Sequence, residues 1–170
     1  MHNRSDLNEI VAQALAVFHG RLDGIIIQTS FAPGLPAINV DREQFLRVVV
    51  NLVDNAAEAM QDSLVKKLHI ATQPGAADTV ELVMADSGCG VSPDDKEKLF
   101  LPYFSTKNRG TGLGLAIVSH IVAEHNGTIR VEDNVPVGAR FMVELPAVVE
   151  SEPAAPATED AELKPSAAKL

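Results

Sequence analysis

Apolar positions along the chain follow two rhythms, one of three and four residues and one of two. Leu7, Ile10, Val11, Ala14, Leu15 and Phe18 keep the first, which predicts a helix over Asp6 to Phe18. Ser5 or Asp6 would cap it, with Asn8 and Glu9 in the first turn. After Gly24 the β-branched run IIIQTSF predicts a strand, and the turn APGLPAINVD leads to a short second one, Ala37 to Val40. Asp41 then opens a long helix to about Gln61, with Glu43 and Gln44 in its first turn. Leu68 to Gln73 and Thr79 to Ala85 predict a hairpin around PGAAD. Ser92 caps a short helix, Pro93 to Phe100. The run LGLAIVSHIVAEH predicts another helix, closing at His125-Asn126-Gly127 with Gly127 as the left-handed residue past its end. Thr128 to Glu132 and Ala139 to Leu145 are the last strands, and Pro146 ends the pattern.

Composition narrows the class. A chain of 170 residues, 46% hydrophobic, suits one domain with a real core, and 4% aromatics without Trp make that core aliphatic. The formal net charge of −9, with basic residues scattered, argues against nucleic acid as a partner. Cys89 is the single cysteine, so an intrachain disulfide is impossible and a reducing compartment is expected. No apolar run has membrane-spanning length, and residues 1–20 lack the shape of a signal peptide. The expectation is a soluble, cytoplasmic chain without membrane contact. Residues 147–170, rich in Ala and Pro with five acids against two lysines, read as a disordered tail.

Candidate chemistry centres on Tyr103 to Val118, YFSTKNRGTGLGLAIV. Gly110, Gly112 and Gly114 alternate just before an apolar helical run. Glycines let backbone approach a bulky anion, and a helix N-terminus favours phosphate. A flexible turn would look the same. The dinucleotide fingerprint fails, because Leu115 and Ile117 stand where its third glycine would fall, and no P-loop pattern occurs. On the long helix Arg47, Asn51, Asn55, Glu58 and Asp62 fall in a stripe about 80° wide, with apolar residues over the rest. A polar stripe is ordinarily a solvated face. However, paired asparagines are poor helix formers, and amide oxygens suit a Mg²⁺ that already carries phosphate oxygens and water. Asp86 ends the strand TVELVMAD directly before Gly88 and Gly90. It could simply form the turn. Facing a flat apolar cavity, it would accept a hydrogen bond from an exocyclic amine such as adenine N6. Gly90 would let the base lie against backbone, between apolar walls from Val91, Leu99 and Leu115.

In this order, N-x-x-x-N on a helix, D-x-G-x-G after a strand, the Phe100/Phe104 pair and G-T-G-L-G-L resemble the N, G1, F and G2 boxes of the histidine-kinase ATP-binding domain. That domain shares a superfamily with gyrase, Hsp90 and MutL. The resemblance covers about residues 6–146, and LFLPYFSTKNRGTGLGLAIV looks most like sensor kinases of the nitrogen-regulation type. It implies an α+β fold, a two-layer α/β sandwich of the Bergerat type. A mixed, mostly antiparallel sheet would carry helices on one face, with ATP between those helices and a lid. Asn55 would be the main Mg²⁺ ligand, with Asn51 helping at the metal or the phosphates, and Asp86 would read adenine beside Gly88 and Gly90. Residues Pro102 to Arg109 would form the lid. Thr106 and Lys107 would close on phosphates with the amides of Gly110, Thr111, Gly112, Leu113 and Gly114, although Lys107 could equally be a solvated loop lysine.

Two departures bear on affinity. Many family members carry Lys or Arg where this chain has Glu58, and many have a hydroxyl where it has Ala139. Relatives that hydrolyse ATP place a glutamate base at the position of Asn51. An amide accepts no proton from water near neutral pH, so transfer to a histidine fits better than hydrolysis. The family's phosphate acceptor lies on a separate hairpin in an H-E-x-x-x-P type motif, and His2, His19, His69, His120 and His125 all lack that setting. The resemblance therefore implies the catalytic part of a sensor kinase. Residues 1–20 would be a junction helix, 21–146 the ATP-binding domain and 147–170 the tail. The partners implied are the histidine-bearing dimerisation hairpin and, indirectly, a response regulator receiver domain; the parent could be anchored in the inner membrane. An anti-sigma-type protein-serine kinase and a non-catalytic nucleotide-sensing module are the alternatives.

Overall fold

The computed structural model describes residues 2–18, 22, 24–102 and 114–148. Among these the elements run β1 (His2–Ser5), α1 (Leu7–Ala16), β2 (Ile26–Phe31), β3 (Ile38–Asp41), α2 (Arg42–Ala59), β4 (Lys67–Pro74), β5 (Thr79–Asp86), α3 (Pro93–Lys96), α4 (Gly114–Glu124), β6 (Thr128–Asp133) and β7 (Ala139–Pro146). Five strands make one sheet in the order β2-β4-β5-β7-β6, parallel only between β2 and β4. Strand alternation sets the layering. Val80, Leu82 and Met84 of β5 and Ala139, Phe141, Val143 and Leu145 of β7 join one buried core with Leu68 and Ile70. The apolar faces of α1, α2 and α4 close over that side. On the opposite side Glu81 is kept in place by hydrogen bonds from Gln73 Nε2 (2.6 Å) and Arg130 Nη2 (3.3 Å). This is the sandwich expected, with helices on one face. No helix among the described residues is long and apolar enough to cross a membrane.

Several local expectations change. Strand β1 escapes the sequence pattern because three of its four residues are exposed; it pairs with β3 from His2↔Asp41 to Ser5↔Ile38. Leu7, Ile10, Val11 and Ala14 of α1 are each 0% exposed, so this helix packs within the sandwich. The helix expected to reach Phe100 is regular only to Lys96. Beyond it, i→i+3 bonds from Lys98 N–H to the Asp95 carbonyl and from Leu101 N–H to the Lys98 carbonyl tighten the chain. Leu99 is thereby buried, and the Phe100 ring meets Phe141 edge-on at 6.3 Å. Ala147 bridges Ile38, and Val148 N–H donates to the Ala37 carbonyl, so order continues past Pro146.

The end of α4 also differs. Asn126, not Gly127, takes the left-handed conformation (φ +61°). Gly127 N–H donates to the Val122 carbonyl and Asn126 N–H to the Ala123 carbonyl, the paired bonds of a Schellman stop. Gly127 is required for space: a Cβ there would lie 2.5 Å from the Glu144 carbonyl oxygen.

His125, buried at this helix end, fixes how the helices lie. Asp41 N–H donates to its Nε2 (3.0 Å), so the ring proton sits on Nδ1 and is donated to the Ile121 carbonyl (2.7 Å). The C-terminus of α4 is thus stapled to the N-terminus of α2, where the Asp41 carboxylate caps the helix by accepting from Gln44 N–H. The two helices run antiparallel. His125→Ala would leave the Asp41 N–H without its acceptor, and urea unfolding should show a loss of about 1–3 kcal/mol.

Candidate functional site

The staple decides what faces what. Counting back the 11 residues from His125 to Gly114 covers about 16 Å of helix. The same distance along α2 from Asp41 reaches Leu52, on the turn that carries Asn51 and Asn55. The first turn of α4 therefore lies level with the two asparagines. Its leading N–H groups have no intrahelical acceptors. Among the described residues no packing imposes glycine at its start, since a Cβ on Gly114 would meet no described atom within 4 Å. That open space is room for a ligand to approach the backbone.

The polar stripe of α2 is graded rather than uniformly solvated. Arg47 and Glu58 are exposed and Asn51 is half-buried, while Asn55 is only 7% exposed. Its Nδ2 is buried and finds no hydrogen-bond partner among the described residues. An amide so placed costs about 1–3 kcal/mol unless something else satisfies it. A phosphate oxygen would accept from the amide nitrogen, leaving the side-chain oxygen for a Mg²⁺, so this residue fits the group expected. Asp62 drops out of the stripe because α2 ends at Ala59. The helix stops where Cys89 N–H donates to the Ala59 carbonyl (3.1 Å).

That bond brings in the third component. Gly88 packs so closely on the last turn of α2 that a Cβ would sit 2.5 Å from the Ala59 carbonyl oxygen. One turn past Asn55, the loop after β5 is thus pressed onto α2. Asp86, at the end of β5, is 1% exposed, and its Oδ1 accepts from Gly88 N–H (2.9 Å) and Ala139 N–H (3.2 Å). The residue is therefore oriented by backbone as well as buried. Gly90 has a requirement not anticipated from sequence: its φ is +74°, and a Cβ would approach the Gly138 carbonyl at 3.3 Å. Val91, Leu99 and Leu115 are buried in the common core next to this loop and the first turn of α4. Thr106, Lys107, Gly110, Thr111, Gly112 and Leu113 lie outside the described residues, as does Phe104.

Sequence reasoning missed the β6–β7 connection. Asn134 Nδ2 donates to the Asp86 carbonyl (2.8 Å), and a Cβ on Gly138 would fall 1.9 Å from that same oxygen. In sequence NVPVG signals only a turn; its contact with Asp86 has no local mark.

Glu58 titrates away from its ordinary range. Partial burial, and then the Asp54 carboxylate one turn earlier, raise its carboxyl above the ordinary range. A raised folded value means that the folded chain holds this proton more tightly than the unfolded one. Its charge thus disfavours folding above the ordinary glutamate range, and the penalty vanishes as pH falls below it. Glu58→Gln should raise the melting temperature at neutral pH and not below about pH 4. Glu58→Lys should in addition tighten nucleotide binding, read by calorimetry, because it returns a cation to the exposed edge of α2.

With this geometry, family membership follows from direct comparison. Residues 40–149 match the family model described as histidine kinase-, DNA gyrase B-, and HSP90-like ATPase, and the chain belongs to that family. Among curated relatives, the sensor protein FixL of Bradyrhizobium diazoefficiens is 36% identical over 82% of the chain, and the sensor histidine kinase ZraS of Escherichia coli O157:H7 is 38% identical over 83%. The chain spans only 28% and 31% of those two proteins. The nucleotide-free catalytic domain of histidine kinase ThkA superposes with a TM-score of 0.77 at 30% identity, covering 86% of this chain and 96% of that domain. ThkA in complex with the response regulator protein TrrA gives 0.73 at 28% identity, covering 86% of this chain and 42% of the other. Full-length ShkA in complex with AMPPNP gives 0.77 at 26% identity, over 90% of this chain and 32% of that one.

Proposed function

We propose that this chain binds Mg·ATP between α2, α4 and the loop after β5, and passes the γ-phosphoryl group to a histidine on a dimerisation hairpin outside this sequence. The buried Asn55 amide nitrogen, which has no acceptor among the described residues and lies level with the first turn of α4, carries this reading. Asn55 and Asn51 hold the metal and phosphate side of the nucleotide, and Asp86 accepts from the adenine amine. Gly88 and Gly90 let the loop after β5 pack closely. Lys107, Thr106 and the amides of Gly110, Thr111, Gly112, Leu113 and Gly114 close over the phosphates. Mg²⁺, when bound, neutralises charge on the transferring group. Glu58 faces this edge as a carboxylate and weakens affinity.

At Asn51 the side chain is an amide, which cannot accept a proton from water, so the site favours an acceptor with its own lone pair over hydrolysis. The ShkA–AMPPNP and ThkA–TrrA structures support nucleotide binding and a response regulator further along the relay. The stretch from Leu99 to Val118 supports a place near the nitrogen-regulation type. We place the domain in the cytoplasm, on a parent kinase that another segment could anchor in the inner membrane. Incubating the chain with labelled Mg·ATP and a separately prepared histidine-bearing hairpin tests the reaction. Acid-labile phosphate on the hairpin supports it. Acid-stable phosphoserine on a protein partner would point to a serine kinase, and nucleotide binding without either product to a sensing module.

A further inference from the structure

We propose that Asn134, in the β6–β7 connection, is a positioning residue for base recognition, fixing the strand end from which Asp86 presents its carboxylate. The inference rests on the reading of Asp86 as the group that meets adenine. The β5–β7 ladder ends at Ala85↔Arg140, so Asp86 projects one residue past its pairing with β7. Asn134 Nδ2 reaches across 48 residues of sequence to donate to its carbonyl at 2.8 Å. The Asn134 N–H donates in turn to the Gly138 carbonyl (3.0 Å), which closes the connection into a tight turn. Gly138, at φ +111°, lies directly on the Asp86 carbonyl. The next N–H, of Ala139, donates to Asp86 Oδ1 at 3.2 Å. One short segment thus grips Asp86 by both main chain and side chain. A carboxylate that must meet a single amine needs placement to within about 0.5 Å, and this grip acts on the main chain and the side chain together. Asparagine suits the position because it supplies a donor on a short stem and tolerates a turn.

The test uses the full chain and calorimetry with Mg·ATP and Mg·GTP, whose base presents an oxygen where adenine has its amine. Asn134→Ala should weaken Mg·ATP about three- to tenfold, and the ATP/GTP preference should fall by a similar factor. With Asp86→Ala already present, Asn134→Ala should change nucleotide affinity no further. Asn134→Asp keeps the shape without the donor and should lose the preference as well. If ATP and GTP weaken together, or the effects of the two substitutions multiply, the connection is only structural support and the inference is overturned. A wild-type chain that ignores Mg·ATP overturns the nucleotide reading itself, and this inference with it. Normal wild-type binding with an unchanged preference in both Asn134 variants overturns the inference alone.

Discussion

Asp86→Ala should weaken Mg·ATP binding ten- to hundredfold, the equivalent of about 1.5–3 kcal/mol for a lost charge-assisted hydrogen bond. The substitution also removes the acceptor for Gly88 N–H and Ala139 N–H, so part of the loss comes from a loosened loop. Asp86→Asn separates the two. It keeps the volume and one acceptor oxygen but presents no charge, and the base contact should suffer while the loop stays in place. Calorimetry reads the affinity and thermal unfolding reads the loop. Affinity equal to wild type in both variants would remove Asp86 from the site.

Asn55→Ala should abolish the dependence of nucleotide binding on Mg²⁺. This side chain is 7% exposed on a helix whose other buried residues are apolar, and it has a donor that the described fold leaves unused. Removing it should therefore do little harm to folding, because a buried unsatisfied amide goes with it. Titrations with metal and with a chelator present should differ for wild type and coincide for the variant. A variant that keeps the wild-type metal response would place the cation elsewhere.

Much of this site is legible in the chain because its parts are local. Helix spacing placed Asn51 and Asn55 on the edge of α2, and the strand TVELVMAD delivered Asp86 to a loop where two glycines signal close approach. What periodicity cannot see is contact between distant segments. His125 and Asp41 are 84 residues apart, and the bond between them ties the end of α4 to the start of α2. Asn134 and Gly138 look like any hairpin turn until Gly138 is seen against the Asp86 carbonyl. Strand β1 is polar and short, so no alternation announces it. Gly127 suggests a conformational stop in the sequence, whereas the left-handed residue is Asn126 and the glycine makes room for the Glu144 backbone.

Convergence of α2, the loop after β5 and the start of α4 on one nucleotide is tested most directly by paramagnetic broadening with Mn·ATP in place of Mg·ATP. Unpaired electrons on Mn²⁺ relax nearby nuclei, so the side-chain amides of Asn51 and Asn55 and the backbone amide of Gly114 should broaden first. The amides of Gly88 and Gly90 should follow more weakly, while Ala71 and Val83 stay sharp. Broadening centred on Ala71 and Val83, or none at saturating nucleotide, would contradict the site.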